Sequence, residues 1–423
     1  MSDICIEGGI RLKGEIKIQG SKNAVLPILA ASVLHPGITV LESVPLIRDV
    51  WASVEIIEFL GGKVSVTGDQ MEIDTRFLTS KEIPKRLGER MRSSVLFLGA
   101  MLARFGEAAL YRPGGCAIGS RPVDLHLQGL ESLGVKFLPD DSRIHAQISR
   151  WQGGEVNLTY PSVGATEQLL LAAAGNGEIT RIYGAAREPE IVTLCEFLVQ
   201  TGILQMEGIG TATLVMCGGR ESRDSCFRIP GDRIAAGTYL AAAALTRGEV
   251  QLHQISAPHM TSTLKAFQKM GCSVGTGDQW ILLKGPSRLK NLPFLATNPF
   301  PEFPTDMQSA FLVMMTVADG HSVMEENVFE DRLAMAESLR DMGADIQVQG
   351  RRAFCRGVSR LRGAKVSGTD LRCGAALVLA GLNAEGRTIV KNYEHVLRGY
   401  EGFDQQLREL GASVTCLYER ECI

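Results

Sequence analysis

Six copies of one short pattern at nearly even intervals restrict this chain more than any other feature. The copies are FLGGKVSV, SLGVKFLP, QTGILQME, KMGCSVGT, DMGADIQV and ELGASVTC, with turn glycines at Gly61, Gly134, Gly202, Gly271, Gly343 and Gly411. Successive glycines are 73, 68, 69, 72 and 68 residues apart. A second pattern keeps step, in which a run rich in Ala, Leu and Val ends near Gly37, Gly106, Gly177, Gly248, Gly320 or Gly386 and resumes as a strand. LLAAAGNGEITRIYGA and LVLAGLNAEGRTIVKN are examples. One helix-ending glycine is commonplace, but two patterns in register indicate six imperfect copies of a unit of about 70 residues.

Each copy has the same physical logic. The alanine-rich run suits a closely packed helix, and the glycine after it is expected to supply the left-handed position that ends it before a β-branched strand such as ITVL or RTIV. A second helix follows, as in VWASVEIIEFL, with apolar residues returning every three or four positions. It stops at the turn glycine, and an alternating segment such as KVSV leaves as a strand. A unit of this size is a poor independent domain, so several must share a core. No Gly/Ser linker marks a boundary, and the repeat alone leaves a ring, a solenoid or three plus three open.

With 423 residues the chain can form two or three domains. Its 44 Lys and Arg nearly balance 47 Asp and Glu, so any positive surface is local and a whole-face nucleic-acid binder is not expected. No run approaches the length of a membrane helix, and MSDICIEGG lacks the start of a signal peptide, so a cytoplasmic protein is expected. The 10 cysteines are scattered and form no CxxC pair, most being expected as small buried hydrophobes; no compact His/Cys set suggests a metal. Nucleotide fingerprints of the GxGxxG or GxxxxGK[ST] type are missing, and Met-rich pieces such as FLVMMTV read as core helices.

One cysteine stands apart. In YRPGGCAIGSRPVD, residues 111–124, Cys116 follows two glycines and lies between Arg112 and Arg121, with Pro122 suited to the first turn of the next helix. A flexible loop tip with flanking cations favours a thiolate and makes Cys116 a candidate nucleophile or proton donor. His126 lies too far along the following helix to be a sequence-near partner.

Several cations stand where alanine-rich helices begin. GSKNAVLP offers Ser21, Lys22 and Asn23; KRLGERMRSS carries Lys85, Arg86, Arg90 and Arg92; AAREPE has Arg187, Glu188 and Glu190. PGDRI holds Asp232 and Arg233, FEDR holds Arg332, TDLRCG holds Asp370 and Arg372, and HVLRGYE holds Arg398. Such guanidiniums suit a small ligand with phosphate and carboxylate groups, whereas Arg86 and Arg90 read as a solvated face. Asp306 in FPTDMQ is either a helix cap or a base.

Taken in order, GSKNA, PGGCAIGSRPVDLH, SVGATE, AAREPEIV, PGDRI, FPTDMQ, DLR and RGYE resemble the motifs of the enolpyruvyl transferases that act on UDP-N-acetylglucosamine, over essentially the whole chain. The resemblance implies an α/β fold, an inside-out α/β barrel of two domains, each with three repeats about a pseudo-threefold axis. Residues 1–21 with 230–423 would form one domain and 22–229 the other, which carries the mobile loop 111–124. The active site would lie in a cleft that closes on the nucleotide sugar. The implied reaction moves the enolpyruvyl group of phosphoenolpyruvate to the 3-hydroxyl of UDP-N-acetylglucosamine with loss of phosphate, the first committed step of peptidoglycan synthesis. By this resemblance Cys116 protonates the methylene carbon and can be modified by that substrate. Lys22, Arg121 and Arg398 meet phosphate and carboxylate, and Asp306 takes the sugar hydroxyl proton. Asn23, Arg92, Pro122, Val123, Asp124, Leu125, Ser162, Val163, Gly164, Val328, Arg332, Asp370 and Arg372 bind or shape the substrates. No cofactor, metal, nucleic-acid or membrane partner is implied, and a monomer is expected. Tyr160 and Pro161 depart from the Lys-Val of some relatives and leave that contact open. The sister enzyme for shikimate 3-phosphate lacks the cysteine loop, and a non-catalytic sensor of UDP-N-acetylglucosamine is the remaining alternative.

Overall fold

All six turn glycines of the first pattern adopt positive φ, from 72° at Gly202 to 106° at Gly61. A β-carbon is strained there, so glycine ends the amphipathic helix and releases the chain into a strand in every copy. The second pattern needs correction. Gly106, Gly320 and Gly386 are left-handed as expected, whereas Gly37, Gly177 and Gly248 are not. At the fourth copy Arg247 makes the left-handed turn with φ 57°; Gly248 is needed for a different reason, since a Cβ there would lie 2.2 Å from the Leu12 carbonyl oxygen.

The structure is a computed structural model and describes residues 2–112, 119, 123–140, 142–219 and 222–418. The chain divides into two compact units, one built from Met1–Gln19 and Gly231–Ile423, the other from the intervening chain outside 113–122. Each holds three four-stranded sheets of one design: an edge strand parallel to its neighbour, then two antiparallel pairings. Strands alternate buried and half-exposed residues, so each sheet turns one face to its unit's core.

At the centre of each unit stand three mutually packed helices. They are Lys22–Ala31, Leu96–Phe105 and Val163–Ala173 in the contiguous unit, and Arg233–Leu245, Gln308–Val317 and Leu371–Asn383 in the discontinuous one. Every residue of Arg233–Leu245 and of the Met-rich Gln308–Val317 is buried, the state expected of a helix apolar on all sides. Small residues let these helices approach: a Cβ at Gly237 would lie 2.6 Å from the Met307 sulfur. The second helix of each copy, such as Thr261–Lys269, keeps one exposed face and lies between core and solvent. Helices inside and sheets outside therefore describe each unit.

The chain passes between units twice, and at both passages an edge strand stays behind while its helix moves on. Lys13–Lys17 precedes helix Lys22–Ala31 but pairs in parallel with Glu249–His253. Ser225–Arg228 precedes helix Arg233–Leu245 but pairs in parallel with Ile38–Glu42. The last sheet of the discontinuous unit is closed by the first strand, Ser2–Glu7, inserted between Arg387–Lys391 and Ser413–Tyr418.

Among the described residues no helix is long and apolar enough to cross a membrane. The expectation that most cysteines are buried holds for only half of those described: Cys195, Cys272, Cys355 and Cys373 are buried, but Cys226 is exposed and Cys5, Cys217 and Cys416 are half-buried. Burial pushes the thiols of Cys195, Cys272 and Cys355 up to about 12, which leaves them unreactive.

Candidate active site

In the discontinuous unit, the starts of the three central helices are joined by side chains. Asp232 caps the first, its Oδ1 accepting from the backbone N–H groups of Ile234 and Ala235 at 2.9 and 3.0 Å. Asp370 caps the third through Arg372 and Cys373 at 2.8 and 3.2 Å. Both are the capping contacts that aspartate offers the orphan amides of a helix start. Asp306 differs, because the cap positions beside it fall on Pro304 and Met307. Its carboxylate lies between two guanidiniums, Arg332 Nη2 at 3.0 Å from Oδ1 and Arg372 Nη2 at 3.0 Å from Oδ2. The arginine side chains are 4% and 7% exposed and that of Asp306 24%, so the site is sealed behind the arginines and open at the carboxylate.

The two arginines are themselves held. Arg332 Nη1 donates to Thr305 Oγ1 at 2.8 Å, Thr305 donates to the Glu326 carboxylate, both of whose oxygens are 3.0 Å away, and the Arg332 guanidinium lies 4.8 Å from the Phe329 ring centre. Glu326 Oε1 also accepts from the N–H groups of Val328 and Phe329 at 2.8 and 3.0 Å. Arg372 Nη1 donates to the Tyr400 hydroxyl at 3.3 Å, which shares a 2.8 Å hydrogen bond with Thr238. Burial works against the charge on Arg372, but Asp306, with Tyr400 and Asp232, holds the guanidinium more firmly protonated than usual. Two acids and two guanidiniums thus form one charge-balanced network, in which only the buried Nε of Arg332 lacks a hydrogen-bond partner among the described residues. Arg398 ends the 3₁₀ turn Tyr393–Arg398, and the residues after it are fixed by buried Gln19, which donates to Gly399 O at 3.0 Å and accepts from Glu401 N at 2.7 Å.

In the contiguous unit, Lys22 is the first residue of its helix and Asn23, half-buried, the second. Lys22 Nζ is 3.0 Å from Asp49 Oδ2, a buried carboxylate on helix Arg48–Phe59. Ser21 sits at the cap position without a side-chain cap bond, and its buried hydroxyl finds no hydrogen-bond partner among the described residues. Arg92, half-buried, opens the 3₁₀ turn leading into Leu96–Phe105. Ser162 caps Val163–Ala173 by accepting from Ala165 N at 3.3 Å, with Val163 and Gly164 in the first turn. The His126 ring packs against Gly164, where a Cβ would come within 2.9 Å. Thr166 Oγ1 accepts from Ala186 N at 3.0 Å and ties the SVGATE segment to AAREPE. Next to it Glu167 is fully buried; burial first, then the charges of Glu190 and Glu188, push its carboxyl well above the usual range.

Lys22, Arg92, Arg233 and Arg372 all stand in the first turn of a helix or of the 3₁₀ turn that leads into one. This is the end where the backbone dipole is already positive, an arrangement that costs stability and makes sense where an anion is to be met. Cys116, Arg121 and Pro122 lie outside the described residues. Of their neighbours, Val123 is buried, Asp124 opens helix Asp124–Ser132 and is exposed, and Leu125 is half-buried. Val328 is half-buried at the Glu326 turn. Arg86 is exposed and Arg90 pairs with Glu55 at the surface, as a solvated face should; Tyr160 is also exposed. Sequence reasoning missed Asp49, Thr305, Thr238, Glu326 and Tyr400. Thr305 and Tyr400 lay inside the FPTDMQ and RGYE motifs without being singled out, and Glu326 stands three residues ahead of the FEDR segment.

The sequence profile of the EPSP synthase (3-phosphoshikimate 1-carboxyvinyltransferase) family matches residues 6–407. A protein of Caldanaerobacter subterraneus subsp. tengcongensis, UDP-N-acetylglucosamine 1-carboxyvinyltransferase 2, is 43% identical over 414 residues, 98% of this chain and 99% of its own. UDP-N-acetylglucosamine 1-carboxyvinyltransferase of Geobacter metallireducens is 40% identical over 98% of this chain and 99% of its own. Among solved structures, the enolpyruvyl transferase NikO from Streptomyces tendae superposes with a TM-score of 0.88 over 98% of both chains at 22% identity. EPSP synthase from Acinetobacter baumannii gives 0.75 at 16% identity, over 99% of this chain and 100% of its own. The structural likenesses speak for the fold, and the full-length sequence matches decide the branch. The chain belongs to the EPSP synthase family and, within it, to the UDP-N-acetylglucosamine 1-carboxyvinyltransferases.

Proposed function

We propose that this protein transfers the enolpyruvyl group of phosphoenolpyruvate to the 3-hydroxyl of UDP-N-acetylglucosamine and releases phosphate, the step that commits the sugar nucleotide to peptidoglycan. The observation that supports it best is the Asp306 carboxylate gripped by Arg332 and Arg372, a base beside cations at the mouth of buried helices. A proton from Cys116 goes to the methylene carbon, and the adjacent carbon becomes electrophilic. The sugar oxygen attacks that carbon as Asp306 takes the hydroxyl proton. Return of a methyl proton to the Cys116 thiolate and departure of phosphate with the proton held by Asp306 restore the double bond and both groups. Lys22, Arg121 and Arg398 offset the charge that grows on the departing phosphate. Asn23, Arg92, Val123, Asp124, Leu125, Ser162, Val163, Gly164, Val328 and Asp370 are assigned to substrate contact or to the shape of the site. The protein is read as a cytoplasmic monomer that needs no cofactor.

Phosphate release measured with both substrates tests this reading, with shikimate 3-phosphate as the competing acceptor. Turnover with UDP-N-acetylglucosamine alone is expected. Binding without phosphate release would instead indicate a sensor. Fosfomycin, an epoxide, is expected to alkylate Cys116 and abolish activity, while Cys116→Asp is expected to keep turnover and resist the drug. Full activity of the unsubstituted protein after complete incubation with fosfomycin would remove the thiol from its role.

A further inference from the structure

At the opposite ends of the same three helices in the discontinuous unit, away from Asp306, lies a cavity of about 360 Å³. It is bounded by the last residues of all three, Leu245, Val317 and Asn383, and by the segments that fold back against them. Those segments are a short repeat that the sequence carries three times: GGIRL at 8–12, GPSRL at 285–289 and GVSRL at 357–361. The leading glycine of each docks in the same way, donating to the carbonyl of Gly386, Gly248 or Gly320 at 3.2, 2.8 and 2.9 Å. The closing Leu12, Leu289 and Leu361 are buried, so the Ser-Arg pairs of the last two copies are turned outward, where they line the cavity.

The equivalent docking contacts make residues 247, 319 and 385, just before the accepting glycines, structural counterparts. Two of the three are acids, each paired with the repeat arginine that precedes it in the chain rather than with that of the copy docked on its own glycine. Arg288 lies 3.1 Å from Asp319 and Arg360 2.9 Å from Glu385. At the third position the acid is replaced by Arg247, which lines the cavity and makes no ion pair among the described residues. The cavity wall therefore carries three guanidiniums, from Arg247, Arg288 and Arg360, of which Arg288 and Arg360 are paired with Asp319 and Glu385, leaving one positive charge in excess. Helix carbonyl ends favour cations in general. Here the ends are already engaged: Leu382 O accepts from Gly9, Thr316 O from Val358 and Ala243 O from Gly248. The exposed ion pairs use one nitrogen of each arginine and leave the other donors available.

We propose that this cavity is a second, non-catalytic site for a small phosphate-bearing anion. Two guanidiniums from copies of the repeat, and a third from the position where the other copies carry an acid, offer more N–H donors than the planar edge of one carboxylate can accept and suit the several oxygens of a phosphate. Ser287 and Ser359 add hydroxyl donors, and Leu245, Leu289 and Val317 provide an apolar floor for a short organic body.

Calorimetric titration with inorganic pyrophosphate tests the site in the full chain. One binding event is expected to weaken at least tenfold in Arg247→Glu and in Arg360→Gln, both exposed positions, with melting temperature and turnover unchanged. The same event is expected to persist in Arg398→Gln, whose guanidinium belongs to the proposed catalytic set. Absence of that event in the unsubstituted chain, its survival in both cavity variants, or its loss in Arg398→Gln overturns the proposal. Succinate binding as tightly as pyrophosphate overturns the tetrahedral match.

Discussion

The two units share one architecture but treat the starts of their central helices differently. In the discontinuous unit these ends are wired to each other: Asp306 from one helix start meets Arg372 from another, and Tyr400 carries the contact on to Thr238 of the third. In the contiguous unit the contacts at these ends are of other kinds, and Gln168 of the third helix donates to Val95 O at 3.0 Å at the start of the second. Lys22 leans on Asp49 of an outer helix, Ser162 caps its own helix, and Ser21 leaves its hydroxyl without a hydrogen bond among the described residues. Identical scaffolds can thus carry a rigid, charge-balanced centre in one half and separately placed binding groups in the other.

Asp306→Ala should break this contrast most severely. It leaves two buried guanidiniums facing each other, a loss of about 3–5 kcal/mol by analogy with broken buried pairs, read by urea denaturation. Phosphate release should fall by roughly 10²–10⁴-fold if the carboxylate is also the base. Near-normal turnover would remove the base assignment and leave the fold assignment intact.

Lys22→Ala is the matched test in the other unit. It should depress phosphate release strongly yet cost less stability, because Asp49 lies in the first turn of helix Arg48–Phe59, where the backbone favours a carboxylate, and the network around Asp306 is untouched. A stability loss equal to that of Asp306→Ala would erase the distinction between the two units.

Glu326→Gln should have a smaller effect, on the order of 1–3 kcal/mol for weakening charged hydrogen bonds to Thr305, Val328 and Phe329. Its mark should be a raised KM for the sugar nucleotide, since the Val328 turn loosens while Asp306 keeps both arginines. Tyr400→Phe should cost about 1 kcal/mol, the worth of one ordinary hydrogen bond, with a modest change in turnover.

Glu167→Gln should be felt least at low pH. The folded-state value of this carboxyl is raised, so the stability it contributes is complete below the ordinary value of 4.5 and is lost as pH rises toward the folded-state value. The glutamine variant should flatten the melting temperature across that window. An unchanged slope would mean that Glu167 is not buried as a neutral acid.

Much of this was legible in the chain itself. The six turn glycines set the repeat, and the all-apolar stretches such as QSAFLVMMTV set which helices are central. Lys22 and Arg372 drew notice because a cation at the head of an apolar helix is costly, and Asp370 because it stands at the mouth of the same helix as Arg372. Their partners were not legible, because Asp49 is 27 positions beyond Lys22, and Asp306 and Arg372 are 66 apart. Pairings across a threefold core follow from helix packing, which local pattern does not encode. The strand exchange at the two passages was hidden for the same reason, since Lys13–Lys17 looks like the natural neighbour of the helix it precedes.

The placement of Ser2–Glu7 bears on biosynthesis. This segment is synthesised well before its two neighbours, Arg387–Lys391 and Ser413–Tyr418, between which it pairs. The inserted half has all its partners once residue 230 is made and can close during translation, while the flanking half must hold Ser2–Glu7 unpaired until Arg387–Lys391 and Ser413–Tyr418 have been made. Nascent-chain aggregation should therefore trace to that waiting edge.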